Sequence, residues 1–399
     1  MTIFALWLDD AAILLRWLHV VAAFVWVGSA FALARLDLGA RPRGEGKKPE
    51  TLLMHAGAAF RFLRTGEADA QERALHFKYE AYAAWASGFA LLVLIYCGDA
   101  RLYLIDPQLW NAPAWAAILV AILLLPLAWL AYDGLCRTTL QGDRLIVALY
   151  LFSAALGFGL TAFFAGRGAF LLLGATLATI MAANIAHGIA PAQKKRLAAL
   201  RAGLPADEAA TAQAAMRALH NQYLALPVVF FMLSAHAPLT FASPHNGFVA
   251  ALILAAGFLL RRIFLQRARG APTNWPLAGA AAAALLLAFW LSAPMKAPEE
   301  AAAASAGQAI ALVLHPGIEA AQTIVETRCV ACHSDRPQWP GLAHAAAGLD
   351  LSQPGALERH KAAVLRNAVY SRAMPPPGAA AALDEEERAT LLRWAQDAR

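Results

Sequence analysis

The sequence predicts an all-α protein in two parts: eight membrane-spanning helices within residues 1–293, then a small C-terminal domain of different composition. Three observations predict this. Of the 399 residues, 60% are hydrophobic and only 15% charged, whereas a soluble domain carries about 25% charged residues. Eight apolar stretches each approach the length of about 20 residues that a helix needs to cross a bilayer. Basic residues gather in every second joint between those stretches.

The stretches are roughly 11–34, 79–98, 114–132, 145–165, 168–189, 223–240, 247–265 and 274–293. None need be a strand, because an open sheet edge in lipid leaves backbone groups unpaired. The joints are short except at 35–78 and 190–222. The N-terminus carries Asp9 and Asp10 where a secretory signal would be basic. The first stretch is also long enough to span, so a cleaved signal is not expected. Lys and Arg number nine in 35–78, two in 133–144, five in 190–222 and four in 261–270. The alternate joints 98–113, 164–168 and 240–246 hold one, one and none. Twenty against two is a positive-inside pattern. It predicts an outside N-terminus, basic joints inside, and residue 294 onward outside. Beside so regular an alternation, nucleic-acid binding by the basic joints is the weaker reading, and no such partner is expected.

Residues 294–308 are rich in alanine and read as a linker, and 309–399 as a small soluble domain. Its key stretch is RCVACHS. Cys329, Cys332 and His333 form Cys-x-x-Cys-His, the attachment signature of a covalent c-type haem. The two thiols add to the haem vinyl groups, and the adjacent His reaches the iron. A redox or zinc pair is the alternative, but zinc needs further ligands at metal spacing, and His344 and His360 do not supply such a pair. A helix is predicted over 317–331, a turn at WPGL, and a last helix near Asp384, with acids in its first turn where the helix dipole favours them. The domain therefore resembles a small cytochrome c. Met374, in RAMPPPG, is the expected second axial ligand. Met/His ligation raises the reduction potential and suits an electron acceptor. Cys97 and Cys136 stand alone in apolar stretches, so no disulfide framework is expected.

Ionisable residues inside spans are costly and tend to face the bundle interior. His19 lies in the first span, and His236 near the outer end of the sixth. Both are predicted in the outer half, where they are a candidate pair for a second haem, haem b, or a metal. A second group gathers at the inner side. His76 and Glu80 are four apart and share a helix face; Lys78 lies between them. Asn184 and His187, three apart, leave the fifth span, while His220 and Asn221 open the sixth. These residues predict a site for an anionic, hydrogen-bonding small molecule, or for a metal or haem. A general base with a pKa near the working pH favours His. The catalytic expectation is His76, Glu80, His187 and His220, with Asn184 and Asn221 orienting the substrate and Lys78 holding its charge.

Four stretches carry a wider resemblance: LRWLHVVAAFVWVGSAFALARLD, LHFKYEAYAAWASGFALLVLIY, NIAHGIAPAQKK and RALHNQYLALPVVFFMLSAHAP. They resemble the bacterial membrane-bound, cytochrome c-linked urate oxidase (urate hydroxylase) family, and the likeness spans essentially the whole chain. It implies oxidation of urate to 5-hydroxyisourate in purine degradation, at a bacterial inner membrane. It also implies electrons leaving through haem c toward a soluble cytochrome or a terminal oxidase. No residue roles come with the resemblance. The alternative is a non-catalytic membrane-anchored cytochrome c feeding a terminal oxidase, or a membrane dehydrogenase for another substrate.

Overall fold

The computed structural model describes residues 3–42, 45, 47–56, 58–63, 78–293, 318–339, 342, 344–379 and 381–397. Among these, eight helices are long and apolar enough to cross a membrane, as a multi-pass membrane protein requires. They are α1 (Ile3–Gly39), α2 (Tyr79–Cys97), α3 (Ala114–Cys136), α4 (Gly142–Phe163), α5 (Gly166–Arg201), α6 (Glu208–Leu233), α7 (Asn246–Ala268) and α8 (Trp275–Ser292).

The helix α5 is the hub. It packs against α2, α3, α4 and α6, and 72% of its most apolar window is buried, against 17% for α1 and for α8. Lipid tails are as apolar as leucine, so the hydrophobic effect does not drive these helices together; close packing and interhelical hydrogen bonds do. Small residues permit that approach. A Cβ on Gly174 of α5 would lie 2.9 Å from the Phe231 Cβ of α6, and one on Gly257 of α7 2.7 Å from Pro227 Cδ of α6. Pro126 and Pro227 sit inside α3 and α6, as spanning helices tolerate where neighbours re-satisfy freed backbone groups.

Two joints differ from expectation. In 35–78 an antiparallel hairpin forms, β1 (Glu50–His55) with β2 (Ala58–Leu63), outside the spans, where water can satisfy its edges. Most of the joint 190–222 is helical. The helix α5 runs on to Arg201, and α6 starts at Glu208, capped by the Asp207 carboxylate accepting from Ala210 N at 3.0 Å. These extensions are polar and lengthen their helices past the apolar spans. The residues 35–41, 137–144, 190–208 and 261–275 mark one end of the bundle, called here the basic end.

The expected linker 294–308 and the start of the predicted C-terminal domain lie outside the described residues. The remainder forms a C-terminal unit with its own small core. The helix α9 (Ile318–Arg328) crosses α10 (Glu385–Asp397), with Val325, Leu357, Leu391 and Trp394 buried between and around them. Asp384 and Glu387 form a reciprocal capping box at 2.7 and 3.0 Å, the arrangement that fixes a helix start. Arg328 of α9 pairs with Glu387 of α10 at 2.9 Å.

The unit seats on the bundle end opposite the basic one. Trp339 Nε1 donates to the Asp99 carboxylate at 2.7 Å, just past α2. Ala373 packs on the bundle core. Gly378 approaches the Arg101 carbonyl so closely that no side chain would fit.

Candidate functional site

The fifth helix reaches the basic end with a π-turn over Asn184–Ile189. Asn184 is fully buried there. Its amide nitrogen donates to Tyr132 Oη at 2.9 Å and to Asn221 Oδ1 at 3.0 Å, and its oxygen accepts from Arg217 Nη1 at 2.9 Å. Tyr132 Oη and His220 Nδ1 share a hydrogen bond at 2.8 Å. Asn221 donates to the Met181 carbonyl at 2.9 Å. Arg217 also pairs with Asp133, which holds Arg137 at 2.7 Å. Three helices, α3, α5 and α6, are thereby tied together by one polar network in a low-dielectric interior, where each such bond is electrostatically stronger than in water.

Of the residues expected at this site, the structure brings His220, Asn184 and Asn221 together. It does not bring His187 or Lys78 to them. A π-turn bonds i to i+5 and inserts an extra residue into the helix, so positions three apart no longer stack on one face. His187 is accordingly exposed and lies against the Trp129 ring, 5.0 Å between centroids. Lys78 stands at the mouth of α2 over the Tyr79 ring at 5.0 Å. His76 lies outside the described residues. Glu80 is half-buried, and its Oε2 is buried with no hydrogen-bond partner among the described residues. Its level is the network's, because Trp85, just over one turn along α2, donates to Thr179 of α5 at 3.1 Å.

Tyr132, Asp133 and Arg217 were not anticipated. Arg217 had a signal: it precedes His220 by three residues and so shares its face. Tyr132 and Asp133 sit at the end of an apolar stretch, and only the packing of α3 on α5 gives them partners.

The histidines expected as a second metal pair stand apart. The His19 Nδ1–H donates to the Ala84 carbonyl at 2.9 Å, and its ring covers Gly88 of α2. His236 is exposed, in a short 3-10 turn beyond α6. The turn ends the helix before it can carry His236 inward. Among the described residues, no three His, Cys, Asp or Glu side chains gather as a metal cluster.

At the far end, Cys329 and Cys332 follow α9 in a tight turn. Cys332 N and His333 N both donate to the Cys329 carbonyl, at 3.1 and 2.9 Å. The turn sets both thiols one helical step apart, and both are free rather than joined as a disulfide. The His333 Nδ1–H donates to the Leu349 carbonyl at 3.1 Å. That bond fixes the tautomer and leaves Nε2 with its lone pair, the orientation a metal-bound imidazole needs. Met374 and Cys329 pack against the same small core. Burial pushes the Cys329 thiol up to about 11, and the Cys332 thiol up as well, the latter helped by the nearby Asp99 charge. Burial lowers His333, which keeps its imidazole neutral. The donor set therefore fits a covalently attached haem.

Residues 5–292 match the urate oxidase N-terminal family. The chain belongs to that family. The match ends where α8 ends, so the family relation covers the bundle, including the Asn184 network, and stops short of the C-terminal unit. The relation suggests an oxidoreductase acting in urate-related oxidation. The chain matches no curated protein and no solved structure.

Proposed function

We propose that this is a membrane oxidoreductase that oxidises urate to 5-hydroxyisourate and passes the electrons to a haem c on its C-terminal unit. The reaction balances as urate plus water giving 5-hydroxyisourate, two protons and two electrons. One observation carries this reading: a urate oxidase family domain over residues 5–292 and a Cys-x-x-Cys-His turn seated on the end of the same bundle. The turn offers the electrons a route other than direct transfer to dioxygen.

In this reading Cys329 and Cys332 would hold the haem through thioether links, and His333 Nε2 and the Met374 sulfur would ligate its iron. Bound there, the haem supplies one-electron transfer. His220 accepts a proton from urate, with its ring held by Tyr132. Asn184 and Asn221 hold that pair in place, and the Arg217–Asp133 pair extends the network toward the basic end. Glu80, with an unpartnered carboxylate oxygen, is the second proton acceptor. His187 and Lys78 have no part in the chemistry.

The basic end faces the cytoplasm of a bacterial inner membrane, and the C-terminal unit faces the periplasm, where a soluble cytochrome or a terminal oxidase collects the electrons. Substrate and haem c are then separated by much of a hydrocarbon core about 30 Å thick. A second centre, haem b or a metal, would divide that distance, and a pyridine haemochrome spectrum counts the haems directly. A c-type signal alone rejects haem b.

The deciding experiment is anaerobic titration of the purified protein with urate while the haem absorbance is followed. Urate is expected to reduce the haem. Reduction by dithionite but not by urate would reject the enzyme and leave a membrane-anchored electron carrier.

A further inference from the structure

In the buried Asn184 network the polar groups of Asn184, Asn221 and Arg217 bond to one another, to Tyr132 and Asp133 and to the Met181 carbonyl. Trp129 Nε1 and Arg261 Nε are buried donors near the basic end without a partner among the described residues, and the charged one, Arg261, lies between α1 and α7. A cavity of about 570 Å³ opens there, lined by Phe31, Arg35 and Leu38 of α1 and by Arg261, Phe264 and Arg267 of α7. That volume is within the range of small-molecule sites, roughly 300–1,000 Å³.

Arg261 forms the inner wall. It is only 5% exposed. Its guanidinium lies 4.0 Å from the Phe31 ring centroid. One Nη donates to Gln222 Oε1, and Gln222 in turn donates to the Ala30 carbonyl at 3.1 Å. The Arg261 Nε–H is buried with no hydrogen-bond partner, and no carboxylate pairs with the side chain among the described residues. An unpaired buried cation is costly, and an anion in the adjoining cavity would remove both defects.

We propose that this groove binds the substrate as a planar monoanion of the oxopurine type, with Arg261 as the anion-binding residue. The inference rests on the urate reading and gives it a place. Arg261 lies six residues deeper along α7 than Arg267, about 9 Å at the helical rise, and between them the walls are apolar. A flat, singly charged heterocycle can pass edge-on between Phe31 and Phe264 and present an acceptor to Nε. Arg35 and Arg267, exposed at the mouth, attract the anion there. Gln222 is two residues from His220 on α6, about 200° around the helix. The groove therefore lies at the level of the proton-accepting network but on the opposite side of α6, as a place of uptake from which the anion passes to His220. An anionic lipid headgroup has the same charge, but it would pair with the arginines at the mouth and leave the buried Nε unmet.

The test uses full-length protein in phosphatidylcholine nanodiscs, reduced with dithionite so that no turnover occurs, with radiolabelled urate in equilibrium dialysis. Arg261→Gln is expected to weaken urate binding about tenfold or more, the loss of a charge-assisted hydrogen bond. Arg261→Lys recovers part of it, and the control Lys194→Gln is unchanged. Should Arg261→Gln fail to fold, Arg35→Gln and Arg267→Gln are read instead, each expected to lower affinity and flatten its salt dependence. Wild-type affinity in these variants would overturn the groove while leaving urate as substrate. If wild-type protein binds no urate, the urate reading itself fails. If phosphatidylglycerol nanodiscs abolish urate binding in proportion to their anionic lipid, the groove is a headgroup site and the inference is overturned.

Discussion

Replacing Asn184 by alanine is predicted to destabilise the bundle by about 3 kcal/mol. Asn184 is fully buried and makes three bonds to three other side chains, on α3 and α6. The two neutral bonds, to Tyr132 and Asn221, contribute about 0.6 kcal/mol each by the average for interhelical bonds in a bilayer. The bond from Arg217 is charge-assisted and contributes about 1.5–3 kcal/mol. Asp133 still holds Arg217 in the variant, which limits the penalty of a stranded cation and keeps the sum near 3 rather than above it. The assay is equilibrium unfolding of the purified protein in mixed micelles of rising SDS fraction. A double-mutant cycle with Arg217→Ala should show coupling of about 1 kcal/mol or more, because the two side chains share one network. A loss below about 0.5 kcal/mol, or strict additivity in the cycle, would mean that the network is not formed as described. The same variant should slow urate-driven haem reduction, since Tyr132 would lose one of the groups that orient it toward His220.

Cys329→Ser combined with Cys332→Ser should abolish covalent haem staining after denaturing electrophoresis while urate binding persists, because the bundle does not depend on that turn. In haem-free protein, Cys329 should resist alkylation at pH 8. Its buried thiol titrates near 11 rather than 9.0, so its thiolate fraction is down about a hundredfold and alkylation should accelerate only as pH rises toward 11; rapid modification at pH 8, read by mass spectrometry, would contradict this. Trp339→Phe removes the bond to the Asp99 carboxylate, which contributes about 1.5 kcal/mol. Urate-driven haem reduction should slow about tenfold, with reduction by dithionite unchanged; equal rates would show that the seating of the C-terminal unit does not govern transfer.

Much of the architecture was legible in the chain. Apolar length and the alternation of basic joints predict eight spans, and the structure has eight candidate helices with the basic residues at one end. Local chemistry is legible for the same reason. Cys329, Cys332 and His333 are neighbours along the chain, so their geometry follows from one turn of backbone. The candidate site in the bundle was legible only in part. His220, Asn184 and Asn221 stand out because polar groups in apolar stretches are costly. His187 was misplaced because the spacing argument assumes a regular helix, and the π-turn over Asn184–Ile189 breaks that assumption. Tyr132, Asp133 and Gln222 gave no signal, since a polar residue near the end of a span is ordinarily at home in the interface.

What the sequence by itself determined was which segments can lie in a bilayer, which end of the bundle is basic, and where the Cys-x-x-Cys-His turn stands. Those properties are sums over local residues: hydrophobicity per span, charge per joint, one five-residue turn. The tertiary structure decided which buried groups meet. Asn184 with Arg217, and Arg261 with Gln222 and Phe31, are joined across helices that are distant in sequence. Whether a buried polar group is satisfied or left open depends on the rotation and depth of each helix against its neighbours. Packing sets those, and it left the Arg261 Nε–H open while closing the network around Asn184.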